Sequence, residues 1–329
     1  VSFGIWNMGG KFMYFPYLRG RQYELLALRE LVSRGLISNK VIPIVEPVKL
    51  STTLVNTMAE FIKANHNIAV IRNPAVGTFI SDLQEAREET KEAQYKQRFN
   101  EQYQNPHILK SLIMTKDVCE LIEELEKEGT RKSDMLIINT DRECLELYLE
   151  LFSDASPCYT LIPKERAFKR KVQGNKVLLD DKFEKQPRNA AYQNKDDEFF
   201  SDDHLEYVEE NYIGFSDYSI VGNEYLEAGF APYAVAIHIV YFDDDESLRV
   251  KHFVSTSNED ITNPALKFYE AVEKLYSWYN TTPNPVQLTA GLEAFIQHYK
   301  NGTYPGLGTV KKLSIMHHLE LMSKYLSRE

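Results

Sequence analysis

The strongest constraint on this chain is an alternation. Short β-type apolar runs, about five to eight residues each, are mostly followed by longer stretches with helical spacing. The runs fall at 13–18, 41–48, 67–72, 109–115, 134–140, 158–162 and 176–179, with an eighth at either 218–221 or 234–242. Helices are expected at 23–32, where Leu25, Leu26, Leu28, Leu31 and Val32 share one broad face and Gly35 closes the end, from Ser51 or Thr52 to about residue 64, and at 80–103, 117–127 and 142–152. Parallel strands buried on both faces should be almost continuously apolar, as VIPIV, IAVI, LIM, MLII and VLL are.

The expected fold is therefore α/β, a (β/α)8 TIM-like barrel. A Rossmann-type open sheet is the alternative, but no GxGxxG opens a helix after the first strand. AVAIHIVYF and LRVKHFVS, separated by DDDES, predict an added β-hairpin in which His238 and His252 pair across the strands. After Asn263 the pattern is helical at 264–280, 286–300 and 309–327, a C-terminal helical extension. The division expected is an N-terminal arm or upstream extension at 1–12, a barrel with hairpin at 13–262, and the helical extension at 263–329, packed on the barrel. The polar connection 181–203 is expected to be structureless, lying on the face where barrels do chemistry.

The 329 residues are 43% hydrophobic, enough for a large core, and the net charge of −10 excludes a generally basic, nucleic-acid-coating surface. No apolar run is long enough to span a bilayer, so no membrane partner is expected. Cys119, Cys144 and Cys158 are odd in number, lie in apolar segments and lack CxxC spacing, which predicts buried reduced thiols and a cytoplasmic setting.

MYFPYLRGRQYELLALREL, followed by VIPIVEPVKL, resembles the bacterial and phage "beta family" proteins in its Tyr-x-Pro strand, Glu-x-x-Ala-Leu helix and Pro-x-x-Glu second strand, with weaker similarity at GFSDYSIVG. The resemblance implies a barrel-like fold of uncharacterised activity and an anti-phage accessory role beside a partner protein, a predicted nuclease. It brings no catalytic motif.

Candidate residues follow instead from position, because the ends of barrel strands converge on one rim. Glu46, Asp141 and Asp181 are the expected catalytic carboxylates or oxygen ligands for a divalent cation, and Arg19, Arg21, Arg72, Lys116 and Lys164 the expected anion-binding cations. Together these would suit a metal-assisted phosphoesterase or nucleotide-binding enzyme. Ordinary salt bridges at a solvated rim are the plainer alternative. Arg19 and Arg21 flank Gly20 just before a helix N-terminus, which favours an anion there, unless either merely pairs with Glu24. Glu46, between apolar residues and prolines, is expected to be poorly solvated. KERAFKRK, 164–171, could make a local nucleic-acid contact with Phe168 stacking, although a solvated helix face is the plainer expectation. His238, His252, His317 and His318 are read as structural, and GLGT at 306–309 as a turn and helix cap, since it lacks the GxxxxGK[ST] order.

Overall fold

The computed structural model describes residues 13–86, 90–227, 232–281 and 287–328. The expected N-terminal arm lies outside them. Nine short strands form one all-parallel sheet in the order β1-β10-β8-β7-β6-β5-β4-β3-β2. They are β1 (Met13–Tyr14), β2 (Tyr17–Leu18), β3 (Ile44–Val45), β4 (Ile68–Ile71), β5 (Ile108–Ile113), β6 (Leu136–Ile138), β7 (Tyr159–Ile162), β8 (Lys176–Leu179) and β10 (Gly214–Ser216).

The ends of this strand order, β1 and β2, are separated along the chain by Phe15 and Pro16 alone. Pro16 has no N–H to donate, which interrupts the ladder. On one side of this stretch Phe15 N donates to Phe215 O and Tyr17 N to Asp217 O; on the other, Ile42, Ile44 and Glu46 N–H groups donate to the carbonyls of Tyr14, Pro16 and Leu18. One face of the sheet gathers Met13, Phe15, Tyr17, Ile44, Ala69, Ile71, Leu136, Ile138, Leu161, Val177 and Leu179 into a core of their own. The alternate residues, among them Tyr14, Leu18, Val45, Val70 and Ile137, face the helices.

The helix layer is α1 (Gln22–Ser33), α2 (Thr52–Lys63), α3 (Phe79–Glu85), α4 (Lys91–Tyr103), α5 (Val118–Lys127), α6 (Leu145–Leu151) and α7 (Arg166–Lys171). Ser51 is the N-cap of α2, its hydroxyl accepting from Leu54 N at 3.2 Å. The expected single helix over 80–103 is two, α3 and α4, with residues 87–89 outside the described set.

Two other expectations are corrected. Neither candidate eighth strand joins the parallel sheet. Residues 218–221 form a turn, with Ser219 at φ 51°, and the place between β8 and β1 belongs to β10. Sequence patterning misses β10 because GFS holds a single large apolar residue. Its Gly214 is required by space, since a Cβ there would lie 2.7 Å from Met13 O. The connection 181–203 is likewise structured: a 3-10 helix at Asn189–Lys195 leads into β9 (Asp197–Ser201), and α8 (Asp203–Glu206) follows. β9 joins the expected hairpin, β11 (Ala236–Phe242) and β12 (Leu248–Val254), as an antiparallel sheet ordered β11-β12-β9.

The expected C-terminal helices are α9 (Pro264–Thr281), α10 (Ala290–Asn301) and α11 (Leu307–Leu326). α11 packs against α1, α10 and β11, so every residue from Leu313 to Ser323 is buried. A helix enclosed on all sides must satisfy its polar residues internally. His317 bonds Thr289 Oγ1 at 2.7 Å and Val240 O at 2.7 Å, His318 bonds Ser219 Oγ at 2.9 Å, and Glu320 accepts from Ala290 N at 2.8 Å. Burial holds His317 and His318 neutral, with pKa values pushed down to about 4 and about 3.

Candidate functional site

At the carboxyl ends of β2 and β3 the sequence places Arg19, Gly20 and Arg21 opposite Glu46. Gly20 adopts φ 63°, and a Cβ there would lie 2.9 Å from Glu46 O, so only glycine lets the two segments approach and turns the flanking arginines apart. Glu46 is fully buried and saturated, accepting from Tyr17 Oη at 2.7 Å, from Ala75 N at 2.8 Å and from the Arg19 guanidinium. Arg19 also donates to Asn223 O and lies 5.5 Å from the ring centres of Tyr17 and Tyr218. Burial raises the Tyr17 phenol well above its ordinary range, the neighbouring Glu46 adding to it, and pushes Tyr218 up to about 12.

Beyond β8 and β10 stands a second group. Asp181 accepts from Asn223 N at 2.9 Å and Phe183 N at 3.3 Å, and burial raises its pKa. Lys182 reaches Asp180 at 2.8 Å and Asp203 at 2.9 Å, and these bonds raise its pKa although burial opposes them. Asp217 is sealed inside, its Oδ1 accepting from Tyr14 Oη at 2.8 Å and Ser219 N at 2.7 Å; burial pushes its pKa up to about 6.

The chain segment 217–227 carries Asn223 and Leu226, whose carbonyls accept from Arg19 and Arg21, and it forms one wall of a cleft of about 260 Å³. Arg21 enters this cleft from the start of α1, Phe183, Lys185 and Tyr192 from the connection after β8, His238 from β11, and Leu307 and Lys311 from the first turns of α11. Gly306 is the N-cap of α11 with φ 87° and no side-chain cap, so the expected turn at GLGT brings an uncapped helix N-terminus to the cleft, where partial positive charge collects. Lys185 pairs with Glu224 at 3.4 Å and Lys311 with the buried Glu24 at 2.7 Å. Arg21 donates to the Leu226 carbonyl and lies 4.7 Å from the Tyr225 ring centre; no carboxylate among the described residues pairs with it.

Of the expected residues, Arg19, Glu46 and Asp181 border one loop, and Arg21 faces the cleft beside it. The others are not brought there. Asp141 is exposed and caps the 3-10 turn Arg142–Cys144 by accepting from Glu143 N at 2.9 Å. Lys116 makes a solvated pair with Glu143 at 2.7 Å. Arg72 follows Ile68 and Val70 on the helix-facing side of β4, near Tyr103, and Lys164 is exposed. Arg19 meets Glu46 and Glu24 meets Lys311, so neither arginine makes the local pair with Glu24. Phe168 is fully buried inside α7 and cannot stack on a base; Lys169 and Lys171 pair with Glu210 and Glu146.

Among the described residues no three His, Cys, Asp or Glu side chains could hold a metal ion together. Cys158 and Cys144 have thiols raised by burial, Cys158 to about 12, and all three cysteines are free. No described helix is long and apolar enough to cross a membrane. Sequence reasoning missed Lys185, Tyr192, His238 and Lys311 as neighbours of Arg21. The one local signal was GLGT followed by VKK, a lysine one turn into a helix opened by glycine. No family model, curated protein or solved structure matches this chain.

Proposed function

We propose that this chain binds a small phosphate-bearing anion in the cleft between α1, the β8 connection and α11. One observation carries the reading: cationic side chains from three separate elements, Arg21, Lys185 and Lys311, line a single cavity beside an uncapped helix N-terminus. We infer also that the parallel sheet is a closed (β/α)8 barrel, with 13–18 as a single strand paired on both sides. Supporting this are the backbone bonds on both flanks of Pro16 and the self-contained core on one face. In such barrels phosphate sites recur at the loops after the seventh and eighth strands and the N-terminus of an extra helix, the position this cleft occupies, although that is an analogy of fold.

Titration calorimetry with inorganic phosphate tests it. Arg21→Ala and Lys185→Ala are each expected to weaken binding roughly ten-fold, as loss of one charge-assisted hydrogen bond does. Absence of phosphate binding to the unaltered protein would refute it. A second reading, a cytoplasmic anti-phage component acting with a partner nuclease, draws support from the sequence resemblance and from exposed Leu226, Tyr233 and Leu307 beside the cleft. Its test is co-purification with such a nuclease, and Leu226→Glu should abolish the association.

A further inference from the structure

Across the hairpin His238 stands directly opposite His252, with Nδ1 facing Nδ1 at 2.7 Å. Two ring nitrogens at that distance share one proton, so one donates and the other accepts. His252 Nε2 lies 3.1 Å from Glu198 Oε1, and the second oxygen of Glu198 lies 3.3 Å from Lys195 Nζ. A carboxylate offers only acceptors, so His252 Nε2 carries the proton and its Nδ1 is left bare. His238 Nδ1 must then donate, which leaves His238 Nε2 as a lone pair. Both rings stay neutral, burial lowering the pKa of each, that of His238 well below its ordinary value. The rings of Phe183 and Tyr192, centred 5.1 and 4.7 Å from that of His238, hold it in place. His238 forms part of the cleft wall with Arg21, Lys185 and Lys311, and among the described residues nothing bonds its Nε2.

We propose that Glu198, His252 and His238 form a hydrogen-bonded relay that presents a fixed acceptor to the cleft, so that its ligand is a phosphate ester carrying a hydroxyl, of the sugar phosphate class. The phosphate meets Arg21, Lys185 and Lys311, and the hydroxyl donates to His238 Nε2. This rests on the cleft being an anion site and adds what else the ligand must carry. At about 260 Å³ the cavity lies below the usual range for drug-sized ligands, as suits a small one.

Two experiments test it. Nitrogen-15 spectra of histidine-labelled protein without ligand should show His238 protonated at Nδ1 and His252 at Nε2; the opposite assignment overturns the relay. Calorimetry should find ribose 5-phosphate bound more tightly than inorganic phosphate, and His238→Phe, which keeps a ring between Phe183 and Tyr192, should remove that preference, roughly ten-fold. If phosphate binds and ribose 5-phosphate binds no better, the cleft stands as an anion site and this inference fails. If neither binds, the anion reading itself fails and the ligand assignment goes with it.

Discussion

Glu46 combines complete burial with a full set of donors, which makes it a structural anchor. Removing one partner of such a pair leaves the other charge stranded, so Glu46→Ala is expected to cost about 3–5 kcal/mol in urea unfolding. A cost under about 1 kcal/mol would show that Arg19 finds water instead. Asp217 makes the opposite contribution. The fold raises its pKa from 3.8 to about 6, so it favours the protonated form. That favourable contribution is complete below the unfolded pKa and is lost as pH rises through about 6. Asp217→Asn keeps an oxygen for both Tyr14 and Ser219 but cannot ionise. Its stability relative to the unaltered protein should rise by roughly 3 kcal/mol between about pH 3.5 and pH 7. An unchanged difference across that range would remove Asp217 as the source.

At the scale of elements, α10 crosses α11 at close range. A Cβ on Gly291 would lie 2.3 Å from Leu313 O and 2.8 Å from His317 N, both backbone atoms, so Gly291→Ala must push two helices apart. The expected cost is about 1–3 kcal/mol, read as a lowered Tm. An unchanged Tm would mean that the helices already stand further apart. Eight of the nine parallel strands were legible from seven apolar runs, the run 13–18 holding both β1 and β2, because burial on both faces leaves little room for polar residues. β10 was not, since two of its three residues, Gly214 and Ser216, are small. β9 was not either: its acidic DEFFS makes sense only beside Arg249 and Lys251 of β12, about fifty residues later, where Asp197 pairs with both. Rim positions were legible as positions, yet the cleft was not. Arg21, Lys185, His238 and Lys311 come from four distant elements, and no local spacing relates them.

For the molecule as a whole, a cationic cleft sits in a chain of net charge −10. Attraction at the cleft therefore works against a repulsive background, and salt screens both. If contacts within the cleft dominate, phosphate affinity should fall several-fold between about 10 and 150 mM salt. An affinity that increased with salt would put the background in control.

The pairing of the first parallel strand with the last, β1 with β10, also shapes how the chain reaches this structure. Tyr14 and Asp217 meet across 203 residues, and Ser38 N bonds Ser323 Oγ across 285. α1 packs on α2 early, but the side of it that meets α11 stays uncovered until α11 has been synthesised. A nascent chain on the ribosome therefore holds one edge of its first strand and one side of its first helix unmatched until β10 and α11 have emerged. Completion waits for these distant partners and is slow, as for other folds dominated by distant contacts, and the waiting surface is a natural client for a chaperone.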